Sequence, residues 1–382
     1  MNAEVKPDRR LRAGIVGGGQ GAFIGRVHRM AVELDGAASV VAGAMSSDPA
    51  RNRASAAEWF LDRAYDSYVT MAVDEAKRAD GIDFVIIATP NHLHFPVAKA
   101  FLDAGIHVVC DKPIALTVEE ATALESLAAQ RSLVFGLTHT YTGYPAVIEA
   151  RECVRAGQVG EVRKVLVEYL QDWLMDPLES TGQKQASWRT DPKRSGESGC
   201  VADIGTHCEN LLEYVTGLEI KSLCADFRTF VPGRLLDDDA NILLRMNNGA
   251  TGVLTCSQVA CGESNGLSLR VYGSAGGLEW HQQDPNILVY KPKGQPHQRL
   301  EVGNGYMGTG AKGVTRLPSG HPEGYVEAFA TLYRSIIRDI WRHRSGLPLA
   351  KDYPTAADGV RGLRFLTRAI ESSRQGARWM DL

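Results

Sequence analysis

Two short segments of this 382-residue chain carry side chains that could move a proton to or from an oxygen atom. In Asp111-Lys112-Pro113 the proline favours an extended backbone at the lysine, which directs the ammonium group away from the chain. In Asp203-Ile204-Gly205-Thr206-His207 a carboxylate and a histidine lie four positions apart at the start of a predicted helix, where they share one face. A histidine can take a proton from a secondary hydroxyl near neutral pH, and a lysine can stabilise developing alkoxide charge. We therefore predict Lys112, Asp203 and His207 as catalytic residues.

Each of these segments also has a purely structural explanation. A lysine at the end of a loop commonly faces water. A carboxylate in the first turn of a helix is favoured by the helix dipole, and the histidine beside it can belong to the core. The catalytic interpretation is favoured because both segments follow a glycine-rich turn in the same chain.

That turn, Gly17-Gly18-Gly19, follows the apolar residues 11–16 and precedes the helical spacing of residues 24–34. Glycines between a strand and a helix let the backbone approach a pyrophosphate, whose charge then lies at the helix N-terminus. The third small residue of this pattern is Ala22 or Gly25, and we favour Gly25 because it starts the helix. The predicted cofactor contacts in this turn are Gly17, Gly19, Gln20, Phe23 and Ile24.

The end of the second strand bears on the choice of dinucleotide. The position where an acidic residue would bind the ribose of NAD holds Ser46. We predict that Ser46, Ser47 and Arg51 contact the cofactor, and the arginine could also reach the 2′-phosphate of NADP. NAD is favoured and NADP is not excluded. Asp48 is predicted to cap the next helix.

Thr89-Pro90-Asn91-His92-Leu93-His94 follows the fourth predicted strand, at the sheet edge where such ligands bind. We predict cofactor contacts from Thr89, Asn91 and His94, and from Asp111 and Lys112 after the fifth strand. The pair His92 and His94 has no neighbouring cysteine or carboxylate, so no metal site is predicted.

The elements that position these residues form an α/β chain of two predicted domains. Six strands alternating with helices in residues 1–137 predict a Rossmann dinucleotide-binding domain. In residues 138–382 strands are separated by turns, which predicts an α+β domain with an open, mainly antiparallel sheet that binds substrate. Helices are expected at 145–156, 207–216, 322–344 and 355–374, and residues 303–320 are expected to form a long loop.

Composition limits the classes of partner. The formal net charge of −3 and the absence of a charge run argue against nucleic acid, and no apolar run reaches the length of a membrane helix. Seven cysteines without a paired pattern indicate reduced thiols. We expect a soluble, cytoplasmic protein with a small-molecule substrate.

Taken together, the glycine turn, Thr89 to His94, Asp111-Lys112-Pro113, Trp188-Arg189 and Asp203 to His207 resemble the glucose-fructose oxidoreductase/inositol dehydrogenase (Gfo/Idh/MocA) family. The family usually has Glu-Lys-Pro where this chain has Asp111-Lys112-Pro113, and its glycine turn is commonly shorter. The resemblance implies an NAD(P)-dependent dehydrogenase of a cyclic polyol or sugar, such as an inositol, an aldose or an anhydrosugar. It also implies a homodimer or homotetramer.

Several side chains are predicted to bind the substrate. Aromatic faces suited to a sugar ring are offered by Tyr141, Trp173 and Trp188, although each could equally be packing. By the family resemblance, Arg189 and His321 are expected to contact substrate.

Two other functions remain open at this stage. An enzyme that keeps its NAD could oxidise a glycoside transiently in order to cleave it. A nucleotide-binding regulator could keep the fold without catalysis. The presence of Lys112, Asp203 and His207 argues against the regulator.

Overall fold

The computed structural model describes residues 9–382, which pack into two compact units. The first unit comprises the described residues up to Thr140 together with Phe329–Leu363, and the second comprises Tyr141–Ala328 and Arg364–Leu382. Residues 329–363, which the sequence analysis assigned to the second domain, therefore cluster with the first. The physical reason is an added edge contact, in which the backbone N–H of Leu137 donates to the carbonyl of Pro354 at 2.8 Å.

The first unit is a doubly wound α/β fold, as predicted. Its strands are β1 (Leu11–Gly17), β2 (Ala38–Ala44), β3 (Arg63–Ala64), β4 (Phe84–Ala88), β5 (His107–Cys110) and β6 (Phe135–Leu137). Its helices are α1 (Phe23–Leu34), α2 (Pro49–Glu58), α3 (Tyr68–Lys77), α4 (His94–Asp103) and α5 (Val118–Gln130). In the described residues, the six strands form a parallel sheet in the order β3-β2-β1-β4-β5-β6.

This strand order places the functional segments at one edge of the sheet. The order reverses between β1 and β4, and ligands of such sheets bind beside the carboxyl ends of the strands at this switch point. Gly17 ends β1, Thr89 follows β4 and Asp111 follows β5. Strand β4 (Phe84–Ala88) is buried along its whole length, because helices cover both faces of a parallel sheet.

The second unit is built on a mixed sheet. Its strands are β7 (Val162–Leu170), β8 (Ile220–Arg228), β9 (Asp239–Met246), β10 (Thr251–Ser257), β11 (Gly266–Gly273), β12 (Gly276–His281), β13 (Ile287–Pro292), β14 (Gln298–Glu301) and β15 (Met380–Asp381). Within the described residues, these nine strands lie in the order β14-β13-β12-β11-β7-β10-β9-β8-β15. All neighbours are antiparallel except β7 and β10, which confirms the predicted open, mainly antiparallel sheet.

Two expectations about the helices of this part of the chain need correction. The helices are α6 (Pro145–Arg155), α7 (Lys184–Arg189), α8 (Pro192–Ser195), α9 (Thr206–Thr216), α10 (Thr309–Val314), α11 (Tyr325–Arg344) and α12 (Ala356–Arg374). Residues 303–320 were expected to be loop throughout, yet they contain α10. Carboxylates of α6 stabilise its start, because Glu149 accepts from the Gly308 N–H at 2.7 Å and Glu152 from the Gly310 N–H at 2.9 Å.

The second correction concerns Asp203, which was placed in the first turn of an α-helix. It lies instead in a π-helical turn, Val201–Gly205, that runs directly into α9 (Thr206–Thr216). Wide turns of this kind are rare and are frequently found at functional sites. The helix that follows ends where predicted, at Gly217 with a left-handed backbone.

None of the helices formed by residues 9–382 combines the length and the apolar character that spanning a membrane requires.

The first unit contains histidines buried in neutral form. Burial lowers the pKa of His28 to about 4 and that of His107 to about 3. The ring nitrogen Nδ1 of His107 accepts a hydrogen bond from the Val134 N–H at 3.0 Å, which requires that this nitrogen carry no proton. Protonation of His107 would therefore replace an acceptor with a donor inside the core.

The folded protein should lose stability as pH falls. A histidine whose pKa is lower in the folded state stabilises the fold fully above its unfolded pKa of about 6.5, and this contribution is lost as pH falls toward the folded value. The free energy of unfolding should therefore decrease from pH 7 to pH 5, by up to about 1.4 kcal/mol per pH unit for each such histidine. Urea unfolding at a series of pH values measures this decrease.

A matched pair of variants assigns the effect to His107. In His107→Asn the amide oxygen can still accept from Val134, but the titrating group is gone, so the pH dependence should be shallower than in the parent. His297→Asn alters an exposed histidine and should leave the dependence unchanged. An equally steep dependence in His107→Asn and the parent would contradict this assignment.

Candidate active site

The glycine turn after β1 depends on direct contact between two backbone segments. Gly17 and Gly18 have φ angles of +79° and +70°, which other residues rarely adopt. A Cβ atom added to Gly25 would lie 2.2 Å from the Gly18 carbonyl oxygen and 2.4 Å from its Cα. Gly25 is thus the residue that lets the first turn of α1 lie against the turn, as the sequence analysis favoured over Ala22.

This turn has the properties that a dinucleotide phosphate requires. The N-cap residue of α1 is Ala22, whose methyl side chain makes no capping hydrogen bond, so the N–H groups of the first turn are not occupied by a cap. Gln20 and Phe23 are exposed and Ile24 is half-buried. The turn itself is anchored, because the Gln20 N–H donates to Ser55 Oγ at 3.0 Å. These features fit a pyrophosphate at the N-terminus of α1.

The end of β2 carries the residues expected beside the adenosine ribose. Ser46 is half-buried, and its hydroxyl accepts from the Asp48 N–H at 3.2 Å. Ser47 and Arg51 are exposed. Asp48 caps α2, since its carboxylate accepts from the Arg51 N–H at 2.8 Å, which confirms its predicted structural role.

In the loop after β4, His94 has a structural role. His94 is buried, and its ring nitrogens contact the carbonyl oxygens of Pro113 at 2.6 Å and Thr89 at 2.9 Å. The ring therefore lies between the loops after β4 and β5 and donates to one of these carbonyls through the nitrogen that carries the proton. These contacts give His94 a structural role, and its predicted contact with a cofactor stays a prediction. Thr89 is half-buried and Asn91 is buried at the same edge of the sheet.

The loop after β5 holds Lys112 in a defined setting. Asp111 Oδ1 accepts from the Lys112 N–H at 3.0 Å and from Thr138 Oγ1 at 2.9 Å, so this carboxylate orders the loop. Lys112 is half-buried. The pKa of the buried His139 is lowered to about 3, first by burial and then by the positive charge of Lys112. His139 is therefore a neutral neighbour of the Lys112 ammonium.

In the second unit, the carboxylate of Asp203 is held by two donors. Arg189 Nε donates to Asp203 Oδ2 at 3.3 Å, and Gln258 Nε2 donates to the same oxygen at 2.9 Å. The turn that carries Asp203 is fixed in its own right, because the buried carboxylate of Asp237 accepts from the N–H groups of Gly199 at 2.8 Å and Val201 at 2.9 Å. Asp203 therefore presents a charge whose orientation is set by three separate elements.

His207 lies at the start of α9 and is half-buried. Its imidazole meets the ring of Tyr141 edge to face, with centroids 4.9 Å apart and an interplanar angle of 86°. Tyr141 is 4% exposed, and its hydroxyl is hydrogen-bonded to that of Tyr169. The Tyr141 ring therefore packs against His207 and restrains the plane of the imidazole, and its predicted contact with substrate stays a prediction.

Two of the aromatic residues predicted to bind substrate, Trp173 and Trp188, lie beside Arg189. Its guanidinium carbon lies 4.3 Å from the centroid of Trp188 and 5.8 Å from that of Trp173, and Nη1 donates to Gln185 Oε1 at 2.6 Å. Stacking of this kind restrains an arginine in one conformation. His321 is exposed, and its ring contacts the carbonyl of Pro318 at 3.2 Å.

Several polar residues around this cluster were missed by the sequence analysis. They are Tyr169, Gln171, Gln185, Gln258, Asn265 and Tyr325. The only available signal was position, because Tyr169 and Gln171 stand at the end of β7 and Gln258 directly follows β10, the parallel neighbour of β7. In residues 9–382 no group of three or more histidine, cysteine or acidic side chains is placed to hold a metal ion.

The glycine turn yields a direct test of dinucleotide binding. Gly25→Ala should raise the dissociation constant for NADH by about tenfold or more, because the added Cβ forces the turn and α1 apart at the phosphate site. Gly313→Ala is the matched control, since a Cβ there meets open space within α10. Fluorescence titration measures both variants, with melting temperatures as a check of folding. Parent-like affinity in a folded Gly25→Ala protein would contradict the assignment.

Comparison with known proteins extends the resemblance to the whole chain. Residues 11–139 match the family described as oxidoreductases with an NAD-binding Rossmann fold, and residues 147–279 match the GFO/IDH/MocA C-terminal domain. An uncharacterized oxidoreductase of Bacillus subtilis, YfiI, is 32% identical, and the match covers 100% of this chain and 99% of the relative.

Solved structures agree with this assignment. An inositol dehydrogenase homologue of Azotobacter vinelandii, crystallised with NAD⁺, is 36% identical with a TM-score of 0.96, and 100% of each chain is covered. A levoglucosan dehydrogenase, crystallised with NADH and levoglucosan, is 25% identical with a TM-score of 0.85, and the match covers 98% of this chain and 99% of that one. The chain thus belongs to the GFO/IDH/MocA family of oxidoreductases and carries its NAD-binding Rossmann domain.

Proposed function

We propose that this oxidoreductase oxidises a secondary hydroxyl of an uncharged cyclic polyol or sugar, with His207 as general base and Lys112 stabilising the alkoxide. One observation carries most weight: the imidazole of His207 is held edge to face by Tyr141, in the unit where Arg189 and Gln258 fix the carboxylate of Asp203. The kinship with inositol and levoglucosan dehydrogenases supports this class of substrate.

The proposed roles follow from the chemistry of each side chain. His207 takes the hydroxyl proton, as an imidazole held at a fixed angle can do near neutral pH. Asp203 orients the substrate hydroxyl or the imidazole, and its two donors hold the carboxylate in one position. Lys112 donates a hydrogen bond to the oxygen on which negative charge develops.

The nicotinamide supplies the hydride acceptor. For the dinucleotide we propose contacts from Gly17, Gly19, Gln20, Phe23 and Ile24, from Ser46, Ser47 and Arg51, and from Thr89, Asn91, His94, Asp111 and Lys112. We propose NAD over NADP because Asp48, exposed at the N-cap of α2, has its pKa lowered by the hydrogen bond from Arg51 N–H and stays anionic. Its negative charge disfavours a 2′-phosphate beside Ser46.

Arg189 supports an uncharged substrate. Substrates with a carboxylate or phosphate are commonly bound by an arginine whose charge is free for them. The guanidinium of Arg189 is instead paired with Asp203 and stacked on Trp188. We therefore propose that Trp173, Trp188 and Arg189 bind a neutral ring through aromatic faces and hydrogen bonds. His321 remains a proposed contact from the family resemblance alone.

We also propose a homo-oligomer in a reducing, cytoplasmic setting. The solvent face of the nine-stranded sheet formed by described residues offers Leu243, which is 49% exposed, between exposed Asn241 and Arg245 on β9. Open antiparallel sheets commonly use such a face to pair with another copy. All the cysteines of the described chain are unpaired thiols, as expected in a reducing compartment.

Replacing the proposed base and the proposed lysine should abolish turnover. His207→Ala should lower kcat by about 10² to 10⁴ and Lys112→Ala by about 10² to 10³, since each removes an interaction made in the transition state. NADH affinity should stay close to that of the parent in His207→Ala. The assay follows NADH formation with inositols, aldoses and anhydrosugars, and compares them with their phosphate esters.

The controls are residues of the same types outside the site. His297→Ala and Lys99→Ala alter exposed side chains, and Lys99 pairs only on the surface with Asp103. Both should turn over like the parent. Undiminished activity in His207→Ala would contradict the proposal. Products formed without NADH accumulating would instead favour transient oxidation with retained NAD.

A further inference from the structure

The second unit contains a hydrogen-bond network of side chains that includes Trp173, Gln171 and Asn265. The indole of Trp173 determines which atoms of the two amides donate and which accept. The indole Nε1 of Trp173 can only donate, and it contacts Gln171 Oε1 at 3.0 Å. The amide of Gln171 must therefore turn its Nε2 toward Asn265, whose Oδ1 it meets at 2.7 Å. The orientation of both amides follows from this single indole.

The amide oxygen of Asn265 receives a second donor. The hydroxyl of Tyr169 donates to Asn265 Oδ1 at 2.8 Å. The hydroxyl of Tyr141 is hydrogen-bonded to that of Tyr169 and also to the Asn265 side chain. On its other side, Asn265 Nδ2 donates to Gln282 Oε1 at 3.1 Å.

Two branches thus leave one side chain and end at the two parts of the candidate site. The first runs through Tyr169 to Tyr141, whose ring stands against His207. The second runs through Gln171 to Trp173, whose ring faces the Arg189 guanidinium.

The backbone supports this arrangement. Asn265 directly precedes β11, whose Gly266 is in register with Leu170 of β7. Tyr169 lies near the end of β7, and Gln171 directly follows that strand. The Gln171 N–H and carbonyl are also held, by the Ser257 carbonyl at 2.8 Å and the Ala260 N–H at 2.9 Å. The Asn265 side chain therefore binds the side chains of Tyr169 and Gln171, whose main chain is held independently by the sheet.

We infer that Asn265 is a positioning residue for the dehydrogenase reaction, setting the Tyr141 ring against His207 and the Trp173 ring against Arg189. This inference rests on the proposed function of His207. Asn265 itself touches neither general base nor carboxylate, and it acts through the two branches.

Substitution of Asn265 should lower turnover without affecting the dinucleotide. We expect Asn265→Ala to reduce kcat about tenfold or more, with NADH affinity within twofold of the parent, because the cofactor residues lie in the other unit. Asn265→Asp keeps an acceptor for Tyr169 and Gln171 and should restore most of the lost kcat. Asn248→Ala is the control: this asparagine of the same unit ties a hairpin to the Val162 carbonyl at 3.0 Å, and its loss should leave kcat unchanged.

A double-mutant cycle separates positioning from a general structural role. Tyr169→Phe removes the hydroxyl of one branch, so Asn265→Ala should cost less in kcat in that background than in the parent. Independent, multiplicative losses would overturn the inference, and so would equal kcat values in Asn265→Ala and Asn248→Ala. If Asn265→Ala does not fold, Tyr169→Phe and Gln171→Leu each remove the donor of one branch and should lower kcat, and parent-like kcat in both would overturn the inference. Full activity of His207→Ala in this assay would instead show that the proposed function has failed, and the inference with it.

Discussion

Pairing of the Asp203 carboxylate is the interaction on which the arrangement of the second unit depends. A half-buried carboxylate is stable only with donors, and Asp203 receives them from Arg189 on α7 and from Gln258 after β10. These residues come from separate parts of the chain, so the ion pair ties the α7 segment to the sheet and to the turn before α9. The same contact pairs the charge of Arg189, whose guanidinium also lies over the rings of Trp173 and Trp188.

In the first unit, the main constraint is that the backbone must leave room for a phosphate at the N-terminus of α1. Gly18 and Gly25 allow two backbones to touch, and the N-terminus of α1 is left without a side-chain cap. The neighbouring loops are joined by His94, whose ring lies between the carbonyls of Thr89 and Pro113, and by Asp111, which accepts from Thr138. Rigid loops around an uncapped helix end are what preorganised binding of a dinucleotide requires.

The sequence allowed prediction of the features that depend on local rules. Burial of β4 on both faces, the caps at Asp48 and Gly217, and the close approach at Gly25 follow from residue type and spacing, and the structure agrees with each. Features set by distant residues could not be predicted. The π-helical turn at Asp203 depends on Asp237, and the scaffolding role of His94 depends on the carbonyl of Pro113. No sequence motif marks Asn265, because the register of β7 and β11 brings it to its partners.

The central claim is that hydride leaves a carbon that bears a secondary hydroxyl while the chain's own residues take the proton. Incubating the enzyme with NAD and a cyclic polyol or sugar deuterated at its ring carbons, in ordinary water, tests this directly by mass spectrometry of the reduced cofactor. The account predicts one deuterium in each reduced nicotinamide and none when the substrate is unlabelled. Reduced cofactor without deuterium from a labelled substrate that turns over would contradict it.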